Sequence, residues 1–584
     1  MSRILRIACV LPCFISISIA ETVDLVRDGQ IRFSPVLSDS PDPQIVDTVE
    51  DFNRMVRRWA GPKELEPSTS NPIPFFLGEA EDFLSLKEKT EDLAEEDFYL
   101  RVDPGAIHVI GGSPLGVQHG VYTLLRDLGF RFVLPGDLGI CFPVGESLSL
   151  ETGERIESPD FRMRMINCYG LVGSGEDYQL WLKRNRCYRP PLNDGHNLTR
   201  TLEREAAYEE RPDLYALIQG ERKKTQICTS NPEAVELVIR SVNKYLDKHP
   251  DLECYSLCPD DNWDFCECEN CRALDTGHID RGGLPSISDR YQVFLNQVLE
   301  GISKKHPDTL ISTYSYNPNH TDPPQETPVH PNTAVFVTTN NFCSAHGSGN
   351  PHCPSRADFV SLLKEWRALT DHVYIYDYDP EPYCGGLPWP MRAAHSTAIP
   401  IYRELGVKGM ALHGQNSWAV YFPAYYMAAQ LLWDSSADPE EVYWDMLNRF
   451  FGEAAGPMRE YYDSLESSFL TFEERAAWGM DDYPKYFSSD SVMKAKEALE
   501  KVNQIPVSDR IQDRISMVKH SFDLFDSYLQ IRRMENPTYE EFQRESDRLQ
   551  GAVDGLSGMD PNLLNADYAR EKLGIALGER VARE

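Results

Sequence analysis

From residue 158 to about 432 the chain alternates short apolar segments of strand character with amphipathic segments of helical period. This pattern commits a chain to parallel strands joined by helical crossovers. The predicted strands are Arg162–Tyr169, Cys254–Cys258, Leu310–Tyr316, Thr333–Thr339, Val373–Asp377 and Gly409–His413, with a shorter apolar run at Asp213–Leu217. The predicted helices between them are Asp177–Arg186, Asn231–His249, Ser288–Lys305, Ser355–Thr370 and Ala394–Leu405. The expected fold class is α/β, a (β/α)8-like TIM barrel. Polar and aromatic residues gather just after the strands: Asp260 and Asp261, Tyr316, Asn340, Asp377 with Tyr378, and His413 with Asn416 and Trp418. The carboxyl ends of parallel strands are where such a fold builds its site.

The densest of these strand ends is DLECYSLCPDDNWDFCECENCRALD, residues 251–275. A strand turns through Pro259 into two adjacent carboxylates, and Cys266, Cys268 and Cys271 follow closely. The cysteines admit two readings. Arg3 and Arg6, then an apolar run to Ile19 and a small-residue site before Glu21, read as a secretory signal. Of the 14 cysteines two lie in that leader, and the even number left in an exported chain favours disulfides. The cluster is also half a zinc site, with Cys258 as fourth ligand, but its spacing departs from paired CxxC knuckles and ranks zinc second. No cofactor is expected, and in either reading the cysteines pin the loop that carries Asp260 and Asp261.

A formal charge of −33 argues against a nucleic-acid partner and against docking on an anionic membrane. No apolar run of spanning length follows the leader, so the expected product is exported, periplasmic or extracellular, with its oligomeric state open. Four regions are expected: the signal at 1–20, an α/β accessory domain at 21–155, the barrel at 156–434 and a helical domain at 435–584.

Two resemblances sharpen this. Gly116–Pro135, GVQHGVYTLLRDLGFRFVLP, resembles the signature that closes the N-terminal accessory domain of alpha-glucuronidases and beta-hexosaminidases. That resemblance implies a following catalytic barrel and packing roles for His119 and Tyr122. The stretch Tyr215–Trp433 resembles the bacterial family called domain of unknown function 4838. The resemblance rests on Asp-Asp-x4-Cys-x-Cys-x2-Cys, Asp289-Arg290-Tyr291, Tyr376-Asp377-Tyr378 and the run Tyr426–Trp433. It implies a barrel related to glycoside hydrolases and makes Asp261 the recurring acid.

The expected activity is hydrolysis of O-glycosidic bonds in a carbohydrate substrate. That reaction takes an acid for the leaving oxygen and a second group at the anomeric carbon. Asp260 or Asp261 supplies the acid, and the other, or Asp377 across the rim, the second group. His196, Tyr316, Asn340, Tyr378, His413, Asn416 and Trp418 are the candidate sugar contacts, because aromatic faces stack on sugar C–H groups while amides and imidazoles bind hydroxyls. Arg392 is a candidate partner for a uronate. A barrel that binds carbohydrate without cleaving it is the alternative, and a metal-dependent hydrolase at the cysteines ranks third.

Overall fold

The computed structural model describes residues 21–581 apart from 62–65, 68–70, 170–174, 191, 194, 379–383, 416 and 477–478. Chain contacts divide it into two units: residues up to Phe130 together with Pro143–Ser158, and Arg131–Phe142 together with Pro159 onward.

The first unit is built on a five-stranded sheet of β1 (Phe33–Val36), β2 (Ile73–Glu79), β3 (Phe98–Asp103), β4 (Ala106–Gly111) and β5 (Gly153–Glu157), in the order β5-β3-β4-β2-β1. Helix α1 (Pro43–Ala60) starts where the Asp42 carboxylate accepts from the Gln44 amide at 2.7 Å and Pro43 occupies the first turn. Its Ile45, Val49, Phe52 and Val56 are buried, and the Phe52 ring packs at 5.5 Å on Phe33 and 5.4 Å on Phe75. Helix α2 (Pro114–Asp127) explains the glycines of its signature. A Cβ on Gly116 would fall 2.3 Å from the Asp97 carbonyl, and one on Gly120 2.5 Å from Val109. Only glycine lets this helix lie so close to the sheet. His119 and Tyr122 are buried, His119 facing the Glu96 carbonyl and Tyr122 donating to Asp51 at 3.1 Å.

The second unit holds six parallel strands: β6 (Met163–Tyr169), β9 (Cys254–Ser256), β10 (Leu310–Ser315), β11 (Thr333–Thr338), β12 (Val373–Asp377) and β13 (Gly409–Gln415). Their order is β6-β13-β12-β11-β10-β9. Between β6 and β9 lies a hairpin of β7 (Tyr215–Ile218) and β8 (Glu221–Ile227). The sheet is curled, and one segment touches both its edges: Tyr188 bridges Arg164, while Leu192 and His196 bridge Cys254 and Cys258. Eight strands were expected, and among the described residues six form this sheet. The apolar run at 213–217 is not a seventh. Gln219 and Gly220 sit at φ 51° and 84°, the two-residue turn that folds a strand back on itself, so it pairs antiparallel with β8.

Strand alternation sorts the side chains. Tyr255, Leu257 and Ile311 point outward to α4 (Pro232–Leu246) and α5 (Ser288–Ile302), packing with Val235, Val238, Phe294 and Val298. Cys254, Cys258, Tyr314, Phe336, Tyr374 and Ala411 share the inner cluster. Further helices are α3 (Glu176–Arg184), α6 (Pro354–Arg367), α7 (Arg392–Glu404) and α8 (Trp418–Trp433). The helical periods of the C-terminal region appear as α9 (Pro439–Phe451), α10 (Ala455–Leu470), α11 (Ser489–Val502), α12 (Asp509–Arg533), α13 (Tyr539–Met559) and α14 (Ala566–Val581). No helix among the described residues is long and apolar enough to cross a membrane.

Candidate active site at the carboxyl ends of the parallel strands

The inward positions of β10 and β12 end in Tyr314, Tyr316, Tyr376 and Tyr378. Two-residue spacing keeps them on one face, and they form a continuous aromatic surface. Tyr314 packs at 6.1 Å on Tyr316 and at 5.8 Å on Tyr376, and Tyr376 at 5.3 Å on Tyr378. His413, inward on β13, lies 5.4 Å from the Tyr376 ring and 5.5 Å from Tyr378, and its Nδ1 meets the Tyr376 hydroxyl in a hydrogen bond. Burial pushes His413 down to about 4, so it is neutral near pH 7. Which of the two atoms donates in that bond follows the tautomer of the imidazole.

Asp261 stands at the edge of this surface. Its side chain is 66% exposed, it accepts from the Tyr316 hydroxyl at 3.1 Å, and His196 Nε2 lies 4.0 Å away. His196 Nδ1 is engaged by the Pro259 carbonyl, which turns Nε2 toward the carboxylate. The His196 ring also packs at 5.1 Å on Tyr314 and 6.0 Å on Tyr316. Burial raises the Tyr378 hydroxyl, and Tyr316, Tyr376 and Asp261 raise it further, so Tyr378 belongs to the same group.

Asp260 has a different job. Its Oδ2 accepts from the Thr199 amide at 3.0 Å, at the start of the short helix Leu198–Glu203. Burial pushes its carboxyl up, against that hydrogen bond and the nearby His196. The hairpin grips its main chain: Gln226 Nε2 donates to the Asp260 carbonyl at 2.8 Å and Gln226 Oε1 accepts from its amide at 3.3 Å. Asn262 Nδ2 donates to the Thr225 carbonyl at 2.8 Å. Sequence reasoning missed Gln226, because β8 carries no strong period-2 signal among Arg222, Lys223 and Lys224.

Other expected site residues fall elsewhere. Asp377 does not face the rim. It shares the outward parity of Val373 and Ile375, is buried, and accepts from Thr339 Oγ1 at 2.6 Å. Burial alone would push the α6 guanidinium of Arg356 down, and Asp377 is the largest of the groups that turn the shift upward. Trp418 is fully buried in the first turn of α8, 4.6 Å from Trp181 and 4.9 Å from Tyr425, so it is core rather than a sugar platform. Arg392 is already paired, to the buried Glu466, to Glu440 at 3.2 Å, and over the Tyr443 ring at 4.1 Å. Asn340 sits at the end of β11, where its Oδ1 accepts from Thr338 Oγ1 at 2.7 Å. Asn416 lies outside the described residues.

The cysteines also regroup. Cys258 is buried inside the sheet, away from the cluster, with its sulfur 4.0 Å from Ser312 Oγ. Cys266, Cys268 and Cys271 instead meet Cys228, which follows β8, and these four are free thiols. Cys343, His346 and Cys353 form a second buried group.

The profile of the family described as "Domain of unknown function (DUF4838)" matches residues 136–463. No curated protein matches the chain by sequence. Among solved structures it is similar to a family GH115 4-O-methyl-alpha-glucuronidase with specificity for decorated arabinogalactans. That likeness has 12% identity and a TM-score of 0.58, and covers 94% of this chain and 79% of the other. A GH20 exo-beta-N-acetylglucosaminidase from Vibrio harveyi aligns at 13% identity over 74% of each chain with a TM-score of 0.42. A chitobiase from Flavobacterium johnsoniae aligns at 12% over 96% of this chain and 98% of its own, with a TM-score of 0.41. At these identities the likeness is one of fold.

Proposed function

The chain belongs to the DUF4838 family, and from that premise we propose that it is an exported glycoside hydrolase acting on O-glycosidic bonds of a polysaccharide or oligosaccharide. The observation that carries this reading is the rim at Asp261: an exposed carboxylate held by Tyr316, beside His196 Nε2, at the edge of a surface of tyrosines. A sugar lying on Tyr316 and Tyr378 would bring its glycosidic oxygen within reach of Asp261, the proton donor in this reading. The neutral imidazole of His413 would bind a hydroxyl. The fold likeness to a glucuronidase supports a carbohydrate substrate.

The reaction needs a second group at the anomeric carbon. With Asp377 turned behind the sheet, the rim leaves Asp260, next to the acid, or a nucleophile carried by the substrate. Asp260 is bound to Thr199 and half-buried, which suits it to holding the loop in register more than to attack.

One observation favours a second reading. Among the described residues Asp261 is the only expected carboxylate that stands open at the rim, and a barrel that binds sugar without cleaving it needs no partner for it. The deciding experiment is hydrolysis of a panel of aryl glycosides (N-acetylhexosaminides, uronides and plain hexosides) by wild type and Asp261→Asn. Cleavage lost in the variant supports the hydrolase. No cleavage, with glycan binding retained in both proteins, overturns it in favour of the binding reading.

A further inference from the structure

We propose that Cys228, Cys266, Cys268 and Cys271 bind one zinc ion as a tetrathiolate, and that this ion fastens the loop carrying Asp260 and Asp261 to the hairpin β7–β8. The inference does not depend on the hydrolase reading.

The geometry is that of ligands around a small tetrahedral ion. Zinc–thiolate bonds of about 2.3 Å in a tetrahedron put the sulfurs about 3.8 Å apart. Cys228 Sγ lies 3.7 Å from Cys268 Sγ and 3.9 Å from Cys271 Sγ, and all four sulfurs lie within 4.8 Å of one another. A disulfide needs a separation of about 2.05 Å, and none of these sulfurs is paired in that way. Tetrahedral sulfur-only sites select zinc or iron, and histidine and carboxylate are absent from this group.

The surroundings point the same way. Three of the four cysteines are buried. The Leu217 amide donates to Cys266 Sγ at 3.3 Å, and Ser230 Oγ lies 3.0 Å from Cys271 Sγ and 3.6 Å from Cys268 Sγ. Arg222 Nη1 stands 4.0 Å from Cys266 Sγ. Donors directed at sulfur offset the negative charge that four thiolates leave on a divalent ion. On binding, each thiol gives up its proton, so loading releases protons as metal enters.

The placement gives the ion its role. Cys228 lies two residues beyond Gln226, which holds both backbone polar groups of Asp260. Cys266 lies five residues beyond Asp261, and its carbonyl accepts from Arg290 at 2.6 Å. The ion would join both ends of this arrangement, so the turn from Pro259 to Phe265 is strung between β9 and the metal.

The test is metal analysis of the purified full chain, with metal per chain compared between wild type, Cys228→Ser and Cys258→Ser. Reading the difference between proteins separates this site from any metal held at Cys343, His346 and Cys353. The proposal expects one zinc equivalent lost from Cys228→Ser and none from Cys258→Ser. Because the Cys228 variant can fail to fold, wild type is also exchanged with cobalt(II), where a tetrathiolate site gives intense red-region absorption and a sulfur-to-cobalt charge-transfer band. Non-reducing peptide maps of wild type that show disulfides among these four cysteines overturn the proposal. Iron in place of zinc overturns the assigned metal, and metal loss from Cys258→Ser but not Cys228→Ser overturns the assigned ligands.

Discussion

Tyr316 donates to Asp261 Oδ1 at 3.1 Å, tying the end of β10 to the loop after β9. The two residues are 55 apart in sequence, and each sits on a different element, so the contact fixes the carboxylate relative to the aromatic surface. Tyr316→Phe keeps the ring and removes the donor. A hydrogen bond contributes about 0.5–1.5 kcal/mol, so kcat/KM should fall roughly twofold to tenfold while the melting temperature hardly moves. Unchanged kinetics on a cleaved glycoside would mean that the hydroxyl does not orient Asp261.

Asp377 lies behind the sheet with Arg356, which makes a different prediction for it. Removing its carboxylate leaves the buried Thr339 hydroxyl without its acceptor, at a cost of about 1–3 kcal/mol. Asp377→Ala should therefore lower the urea midpoint strongly, and the folded fraction should keep its KM. A variant of normal stability whose activity is abolished would return Asp377 to the rim.

These two aspartates show what the sequence made legible. Helices and parallel strands follow from period and capping: the helix expected at Ser288–Lys305 is α5, Ser288–Ile302. Asp377 follows a strand and still stands away from the rim, because strand parity puts it on the outward side with Val373 and Ile375. Helix α8 gave no periodic signal because nearly all its residues are buried, from Trp418 to Trp433, and a helix apolar all round has no face to detect. Cys228 escaped because its partners lie 40 and 43 residues further on, and only the turn at Gln219–Gly220 brings β8 beside them.

Trp418 illustrates the same point energetically. Its ring is fully buried against Trp181 and Tyr425, so Trp418→Ala opens a large cavity. Such truncations cost about 3–5 kcal/mol. Chemical denaturation should show that loss. A variant as stable as wild type but weakened in glycan binding would contradict the packing role.

His413 makes acid stability testable. Its ordinary value is 6.5, and burial holds it at about 4 in the folded chain. As pH falls through 6.5 the unfolded chain takes up a proton that the folded chain refuses until about 4. The stability present above 6.5 is therefore lost progressively across that window and levels off below it. The contribution is at most about 3 kcal/mol. His413→Gln should show a shallower decline in urea midpoint between pH 7 and pH 4 than wild type. Parallel profiles would remove His413 as a source of acid sensitivity.

Asp260 and Asp261 are neighbours in the chain with opposite environments, and paired variants separate their roles. Asp260 Oδ2 caps the helix that begins at Leu198, and burial raises its carboxyl. A raised carboxyl means that the folded chain holds its proton to a higher pH than the unfolded chain. Its ionisation therefore erodes stability as pH rises through the raised value. Asp260→Asn keeps an oxygen to accept from Thr199 and removes that charge, so near pH 7 it should be as stable as wild type. Asp260→Ala loses the cap and should cost about 1 kcal/mol. Asp261→Asn removes a group exposed at the rim, so stability should hold while kcat falls by orders of magnitude, with KM little changed. If Asp260→Asn instead abolishes kcat and Asp261→Asn only raises KM, the two assignments must be exchanged, and the half-buried carboxyl becomes the acid.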